Sequence, residues 1–346
     1  MLNIGKYLNF SIKVALANLN KLHHPYKIFL VITKSCGSRC LNCHIWREVP
    51  TNELGLDEYE KLSINLGKHL SWLNISGGEP TDRDDLIEIL KIFIKNCPNL
   101  LIVNFTSNGL NQKKLIEAAE YLSNSNIPII GINISIDGPE KMHIKLRGGE
   151  DSYLKAIASL KALRKLKNIK VHASMTLFEA NSHLIEETFK EIKGHIPNFR
   201  RTQLHLNQSF HSEHYYRNKA SSGETPKLQP HIGTKSLLRF LAPMEILKSI
   251  YLKNLIKFQK TKKNPIPCSS LTSNVYISEH GDLYTCTIWN QKVGSLRNEE
   301  FDLHKIMNTQ KAKDLRLDIS NNKCINCWSP CEAFPSILDN LLKIHK

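Results

Sequence analysis

Cysteines carry the chemistry that this sequence encodes most clearly. Eight of the nine cysteines fall into two groups: Cys36, Cys40 and Cys43 near the start, and Cys268, Cys286, Cys324, Cys327 and Cys331 near the end. Thiolates bind zinc and iron–sulfur clusters, and close spacing lets one loop direct several sulfurs at one centre with little loop-closure entropy. Spacing alone leaves both metals open for the first group. Cys97 stands alone after a helical pattern, and we expect it to be a small buried hydrophobe.

The elements that must position these cysteines alternate along the chain. Strand-like apolar runs occupy residues 27–33, 72–76, 100–106, 129–136, 169–177 and 203–207, and helical repeats lie near 56–69, 83–96, 111–124, 150–166 and 182–194. This alternation predicts right-handed crossovers and a parallel sheet. Six strands are too few for a closed eight-stranded barrel. The fold class we predict is therefore α/β, a partial (β/α)6 parallel barrel with a small C-terminal α+β domain, and a doubly wound sheet is the alternative.

Polar turns follow the predicted strands at the end where parallel sheets bind ligands. In chain order these turns carry the first cysteine group, then Gly77, Gly78, Glu79 and Pro80, then Asn108, then Ser135 and Asp137, with Arg147 shortly after. Each turn alone is ordinary, because Gly, Asn, Asp and Pro are common in turns. The convergence of all of them on one rim predicts a binding site there.

The first cysteine group and the Gly77–Pro80 turn resemble the two motifs of the radical S-adenosylmethionine (SAM) superfamily, over residues 27–207. The resemblance implies that Cys36, Cys40 and Cys43 bind a [4Fe–4S] cluster with one iron open to SAM. Reductive cleavage of SAM would then give a 5′-deoxyadenosyl radical that abstracts hydrogen from a small-molecule or lipid-linked substrate. The hard chemistry belongs to the cofactor, and the protein supplies orientation and shelter.

The same resemblance implies roles for the turn residues. Glu79 and the backbone of its turn would hold the SAM amino group, and Asn108, Ser135 and Asp137 would contact its ribose or methionyl part. Arg147 would pair with the SAM carboxylate, for which a guanidinium fork is well shaped, or would be a solvated arginine at a helix start. The family usually has an aromatic residue just before the third cysteine, where this chain has Asn42. Trp46 or His44 is a candidate replacement.

The second cysteine group lies in a pattern of its own. Strand-like runs at 273–278 and 283–288 predict a hairpin with Cys268 and Cys286 near its outer ends, and Cys324 with Cys327 forms a knuckle. This pattern resembles the auxiliary-cluster domain called SPASM, or its shortened twitch form. Five cysteines in place of the usual seven imply one auxiliary [4Fe–4S] cluster on those four residues. Cys331 would lie beside the cluster or replace one ligand, and a structural zinc is the alternative.

The sequence divides into four expected segments: an amphipathic helix in 1–26, the barrel in 27–207, a loop and bridging helix in 208–264, and the auxiliary-cluster domain in 265–346. The first segment would cover the open bottom of the barrel or lie on an anionic membrane surface. The loop is either solvated or part of the active-site mouth. Its neighbourhood supplies four candidates for substrate contact or proton transfer: His205, His211, His214 and Tyr215.

Composition limits the remaining possibilities. The chain has 346 residues, 41% hydrophobic, with 47 basic and 32 acidic residues and a formal charge of +15. It has no apolar run long enough to span a membrane and no recognisable signal peptide, so we expect a cytoplasmic protein, with peripheral contact to the inner face of the membrane as an alternative. Its charge suits an anionic substrate, a membrane or a redox partner. We expect electrons from a reductase, flavodoxin or ferredoxin, and we do not expect a nucleic-acid partner because no nucleic-acid-binding motif is present.

Two other functions compete with this interpretation. A peptide-modifying maturase of the SPASM type usually has an N-terminal winged-helix module, and the 26 residues before the first strand are too short for one. Leader recognition by a separate protein would remain open to such an enzyme. A non-catalytic iron–sulfur or zinc protein would explain the cysteines but not the glycine-rich turn after the second strand.

Overall fold

A computed structural model describes residues 3–210, 212, 214, 215 and 243–344 of the chain. The strands in these residues are β1 (Lys27–Val31), β2 (Trp72–Ser76), β3 (Ile102–Ser107), β4 (Ile129–Ser135), β5 (Ile169–Leu177), β6 (Leu204–Gln208), β7 (Asn274–Ile277), β8 (Asp282–Tyr284) and β9 (Lys292–Ser295). The helices are α1 (Ile4–Asn18), α2 (Leu56–Leu66), α3 (Leu86–Asn96), α4 (Gln112–Ser123), α5 (Glu140–Arg147), α6 (Ser152–Leu163), α7 (Ile185–His195), α8 (Pro243–Thr261), α9 (Leu303–Asn308), α10 (Gln310–Ser320), α11 (Pro330–Asp339) and α12 (Leu341–Ile344).

The described strands form one sheet in the order β6-β5-β4-β3-β2-β1-β7-β8-β9. From β1 to β6 every neighbouring pair is parallel, and at least one helix lies between each strand and the next along the chain. The strand residues that face these helices are apolar and fully buried, as Leu73 and Val103 illustrate. The two ends of the sheet, β6 and β9, are not paired with each other. The predicted partial (β/α)6 barrel is therefore confirmed.

The C-terminal strands extend the barrel sheet. β7 pairs in parallel with β1, with Lys27 opposite Asn274, and β8 and β9 follow in antiparallel pairs. The predicted hairpin is present, but its second strand ends at Tyr284. There Thr285 donates its N–H to the carbonyl of Gln291, so the chain turns and returns as the unpredicted β9. The part carrying the second cysteine group is thus built directly onto the edge of the barrel.

Helix α1 lies against the bottom of the barrel, where the strands begin. Phe10 packs edge-on against Tyr26 with ring centroids 5.3 Å apart, and the Lys13 ammonium donates to the Ser71 hydroxyl at 2.8 Å. The apolar stripe predicted for this helix points the other way: its large side chains Ile4, Leu8, Ile12 and Leu19 are exposed. The helix covers the bottom of the barrel as one prediction had it, but with its opposite face. Among the described residues, no helix combines the length and apolarity that crossing a bilayer requires.

Helix α8 lies along the cavity and joins it to the C-terminal part. Tyr251 stacks on Trp328 with ring centroids 6.1 Å apart, and the Trp328 indole N–H donates to the Tyr251 carbonyl at 3.0 Å. Phe258 packs edge-on against Phe210, just beyond β6. Within the segment 208–264 the sequence predicts a loop over 208–234 and a helix over 235–263, and α8 is the described part of that helix. Much of the predicted 208–234 loop, with His211, lies outside the described residues.

Candidate active site

A large cavity of about 990 Å³ occupies the interior of the partial barrel. At the carboxyl ends of the strands it is lined by Cys36, Cys40 and Cys43, and elsewhere by Cys331 from the second cysteine group. Most of the turn residues singled out in the sequence also line it: Gly77, Gly78, Glu79, Asn108, Ser135, Asp137 and Arg147. Pro80 is buried at the start of a short 3-10 turn and does not appear in the lining. The predicted convergence of polar turns on one rim is what the fold produces.

The loop that carries the first cysteine group is held by the glycine turn after β2. Gly78 donates its N–H to the Thr33 carbonyl at 2.7 Å, and Glu79 donates to the Ser35 carbonyl at 2.7 Å. The turn passes so close to this segment that a Cβ on Gly78 would lie 2.1 Å from the Ser35 oxygen. Only a residue without a side chain fits there. The two sequence motifs are therefore one structural unit.

The end of α5 and the turn after β3 anchor the rest of the cysteine loop. Arg39 and Leu41 donate their backbone N–H groups to the carbonyls of Arg147 and Leu146, each at 2.9 Å, so the end of α5 runs alongside the loop. From β3, the Asn108 amide donates to the Ser38 hydroxyl at 3.0 Å. Backbone and side-chain bonds from three elements thus fix the direction in which the three thiols point.

The thiols themselves suit a metal cluster. They are partly buried, and burial raises the pKa of Cys36 to about 12 and that of Cys43 to about 11. For Cys40 the pKa is likewise raised by burial, and the nearby Arg147 guanidinium opposes the rise. Burial therefore disfavours the bare thiolates, so a cation must compensate them, and the irons of a cluster supply that positive charge. Three soft donors on one loop, facing an open cavity, fit a [4Fe–4S] cluster that keeps an open iron.

Glu79 is a buried carboxylate at the centre of the rim. One of its oxygens accepts from the backbone and hydroxyl of Thr81 and from the Ser107 hydroxyl, and the other accepts from the Asn108 N–H at 2.6 Å. Burial raises the pKa of this carboxyl, and these hydrogen bonds oppose the rise. Glu79 therefore ties the β2 turn to the end of β3, in addition to lining the cavity.

Asp137 and Arg147 form a second buried link across the rim. The Arg147 guanidinium lies 2.7 Å from one Asp137 oxygen, and the other oxygen accepts from the Thr176 N–H at 2.8 Å. The two side chains are 6% and 15% exposed. Arg147 ends α5, so the alternative of a solvated arginine at a helix start is wrong. Ser135 lies buried at the end of β4, on the same cavity wall.

Trp46 is an aromatic residue near the third cysteine that lines the cavity. Its indole N–H donates to the Cys40 carbonyl at 3.1 Å, and the guanidiniums of Arg39 and Arg47 lie about 5 Å from its ring. Both Trp46 and Asn42 line the cavity, whereas His44 adopts a left-handed backbone conformation and does not line it. Of the two candidates for this role, the geometry favours Trp46.

Four members of the second cysteine group lie near one another. Burial first, and then the neighbouring thiols of Cys286 and Cys268, raise the pKa of Cys327 well above its usual range. Burial also raises the pKa of Cys268 to about 12, with Cys324 among its neighbours. The Cys286 sulfur accepts N–H bonds from Trp289 at 3.1 Å and from Ile288 at 3.4 Å, the kind of bond that stabilises cluster sulfurs.

Cys331 has different surroundings. Burial raises the pKa of its thiol, and the Lys27 ammonium, which donates to the Cys331 carbonyl, opposes that rise. Phe29, Tyr276 and Tyr215 pack around it. Its side chain lines the barrel cavity, which the other four do not.

The candidate proton-transfer residues separate in space. His205 lines the cavity and stacks on His172, with ring centroids 3.9 Å apart. Tyr215 also lines it and donates to the Ser76 hydroxyl at 3.3 Å. His214 does not line it, because its ring packs between Tyr276 and Tyr284 at 4.5 and 4.7 Å. His211 lies outside the described residues.

Several cavity residues escaped the sequence analysis. They are Lys27, Lys170, His172 and Lys248. A signal existed for two of them, since Lys170, His172, Ser174 and Thr176 alternate along a strand of a parallel sheet, where both faces are usually apolar. Cys97 is buried after α3, and the prediction of a buried hydrophobe is confirmed.

Comparison with known families agrees with this geometry. Residues 30–192 match the radical SAM superfamily, and residues 268–328 match the SPASM family, described as an iron–sulfur cluster-binding domain. The chain carries a radical SAM domain followed by a SPASM domain. Its radical SAM domain binds a [4Fe–4S] cluster and SAM, and its SPASM domain binds auxiliary iron–sulfur clusters.

Curated relatives cover part of the chain. The chain is 27% identical to the sporulation killing factor maturation protein SkfB of Bacillus subtilis over 171 residues. This aligned region covers 48% of this chain and 39% of SkfB. It is 28% identical to the GTP 3′,8-cyclase of Limosilactobacillus fermentum over 181 residues. This aligned region covers 49% of this chain and 52% of the cyclase. The chain thus spans about half or less of the length of these relatives.

Solved structures show the same fold over most of the chain. Streptococcus suis SuiB bound to S-adenosylmethionine aligns with a TM-score of 0.57 at 16% identity, covering 89% of this chain and 72% of SuiB. The enzyme anSMEcpe with bound AdoMet aligns with a TM-score of 0.55 at 13% identity, covering 83% of this chain and 82% of that one. At these identities the likeness establishes the fold alone.

Proposed function

We propose that this radical SAM protein abstracts hydrogen from a small-molecule or lipid-linked substrate held in the barrel cavity. When bound together, the cluster and SAM supply a 5′-deoxyadenosyl radical for that step. The observation that carries the proposal is the shared cavity: Cys36, Cys40 and Cys43 open into the same 990 Å³ space as the polar rim and the barrel interior. A cavity of this size accommodates a drug-sized ligand and shields a reactive species from water.

Different rim residues would bind different parts of SAM. Glu79 and the backbone of its turn would receive the amino group, and Asn108, Ser135 and Asp137 the ribose or methionyl part. Arg147 donates to Asp137 at one edge of the SAM site, and a guanidinium fork is well shaped to pair with the SAM carboxylate. Trp46 would pack near the adenine. Because Asp137 is fixed by Thr176 and Glu79 by four donors, both would act as rigid acceptors.

The second cysteine group would bind one auxiliary [4Fe–4S] cluster through Cys268, Cys286, Cys324 and Cys327. The mutual effects of these thiols support this set, and the separate surroundings of Cys331 support leaving it out. Four protein ligands leave no iron open to substrate. This favours a cluster that accepts or relays an electron, supplied or removed by a reductase, flavodoxin or ferredoxin.

The test is anaerobic SAM cleavage. The protein is reconstituted with iron and sulfide, reduced with dithionite and incubated with SAM, and 5′-deoxyadenosine is measured by chromatography. We expect product from the wild type and from Cys97→Ala, whose cysteine is buried outside both groups, and none from Cys40→Ala. Absence of 5′-deoxyadenosine from fully reconstituted wild type, with and without extracts containing substrate, would falsify the proposal.

A peptide substrate is the second candidate. SkfB is named as a maturation protein, and one of the similar structures is SuiB bound to its precursor peptide SuiA. Mass spectrometry after incubation with peptides encoded beside the gene separates the two candidates. A mass loss of two hydrogens on a peptide would select the maturase function, whereas modification confined to a metabolite or lipid fraction would select the first.

The exposed stripe on α1 supports contact with the cytoplasmic face of a membrane. Ile4 and Leu8 are 68% and 60% exposed, and the net charge of +15 suits anionic lipid. Co-sedimentation with phosphatidylglycerol vesicles tests this. We expect binding that the double variant Leu8→Glu with Ile12→Glu abolishes, while Leu317→Glu on α10, also at an exposed leucine, leaves it intact. Equal binding by all three proteins would contradict membrane contact through α1.

A further inference from the structure

The part of the cavity wall formed by β5, β6 and α8 carries basic and imidazole side chains. Lys170 and His172 come from β5, His205 from β6 and Lys248 from α8, and all four line the cavity. The rings of His172 and His205 stack with their planes 23° apart. These four side chains, which we name the basic wall, come from three elements that meet only in the folded chain.

The imidazoles of the basic wall are neutral hydrogen-bonding groups. Burial, followed by the charges of Lys248 and Lys170, lowers the pKa of His172 to about 4. Burial, followed by His172 and the charge of Lys248, places the pKa of His205 well below its usual value. The Nε2 atom of His205 is buried and has no hydrogen-bond partner among the described residues. A buried polar atom without a partner is costly, so a ligand that bonds to it is favoured.

The described lining of the cavity includes two carboxylates, and neither lies on the basic wall. Glu79 and Asp137 are the carboxylates that line the cavity there, and both lie on the rim with their oxygens already bonded to neighbours. Gly131 lies opposite Lys170 in the β4–β5 register and brings no side chain into the cavity.

We propose that the basic wall binds an oxyanion of the substrate, either a carboxylate or a phosphate ester. The lysines would supply charge, and the imidazoles would donate N–H bonds in the orientation their stacking fixes. This proposal rests on the proposed function, because it assigns a part of the substrate to the cavity in which that function places it. It narrows the substrate class from any small molecule to an anionic one.

Binding of simple dianions tests the proposal without turnover. At about pH 8, cluster-loaded protein is titrated calorimetrically with glycerol 3-phosphate, with glutarate and with glycerol as the neutral probe. We expect saturable binding of a dianion and none of glycerol. The tighter of the two dianions identifies the phosphate or the carboxylate form. Lys170→Met and Lys248→Met should each weaken that binding by about tenfold or more, the worth of one charge-assisted bond.

Lys253→Met is the matched control, because Lys253 is on α8 but is exposed and does not line the cavity. It should bind the dianion like the wild type. Circular dichroism and iron content confirm that every variant folds. Wild type that cleaves SAM but binds neither dianion, or binding that survives both cavity-lysine variants, would overturn the oxyanion site while the proposed function stands. Wild type that binds a dianion but yields no 5′-deoxyadenosine would overturn the function instead.

Discussion

Replacing Gly78 with alanine should uncouple the catalytic cysteines from the sheet. A Cβ at this position would lie 2.1 Å from the Ser35 oxygen and 2.7 Å from the Lys34 oxygen. Both neighbours are backbone atoms, so no side-chain rotation relieves the overlap. Restoring ordinary contact requires the two segments to separate by about 1 Å, and overpacking of this kind typically costs about 1–3 kcal/mol.

The displacement also weakens the bonds that fix the loop. Gly78 N–H to Thr33 and Glu79 N–H to Ser35, both 2.7 Å long, span the same contact. Each contributes about 1 kcal/mol, so losing both brings the total local cost to about 3–5 kcal/mol. A shift of about 1 Å in reacting groups can reduce the rate about 100-fold. We therefore expect Gly78→Ala to lose about four iron atoms per chain, or to keep them and cleave SAM at least about 100 times more slowly.

Iron analysis, the cluster absorbance near 400 nm and 5′-deoxyadenosine formation together measure this effect. The second cysteine group serves as an internal reference, since its iron should persist. Gly37→Ala is the control within the loop itself, because a Cβ there would meet Asp82 at an ordinary 3.6 Å. Gly78→Ala with full iron and wild-type SAM cleavage would refute the reasoning, and so would equal damage in Gly37→Ala.

Three further changes test other parts of the site. Asp137→Asn leaves the buried Arg147 without its counter-charge and should lower the free energy of unfolding by about 3 kcal/mol, measured by urea denaturation; a loss below about 1 kcal/mol would contradict a tight pair. Cys327→Ser should remove auxiliary iron, whereas Cys331→Ser should keep it, and the reverse pattern in iron analysis would reassign the ligands. Trp46→Leu should weaken SAM binding in equilibrium dialysis while cluster iron is retained, and unchanged affinity would exclude its packing role.

The sequence predicts the barrel well because its signals are local. Each strand of the parallel sheet carries apolar residues on its helix-facing side, and each of the first five turns carries polar residues that a strand end must place on one rim. The first cysteine group and the Gly77–Pro80 turn lie on adjacent strands for the same reason. Their contact, with Gly78 against Ser35, follows from neighbouring β1 and β2.

Long-range pairing is where the sequence falls short. Nothing local to residues 274–277 indicates that β7 pairs with β1, because that contact joins distant parts of the chain. Its physical reason lies in the barrel: β1 would otherwise be an unpaired edge of buried apolar residues. Apolar periodicity also does not predict which face of a helix contacts the rest of the protein. The stripe on α1 correctly predicts a helix, yet the buried Lys13 and the half-buried Phe10 lie on its contact face.

The position of β1 explains how one cavity is lined by the first cysteine group at one level and by Cys331 at another. The first group follows the carboxyl end of β1, whereas Lys27 at its amino end donates to Cys331. Four residue steps separate Lys27 from Val31, or about 13 Å of strand. Strand register places Lys170 level with Phe29, two residues above Lys27. The basic wall therefore begins between the level of Lys27 and Cys331 and the level of the first cysteine group, so a substrate anchored there lies in the cavity that the first group and Cys331 line.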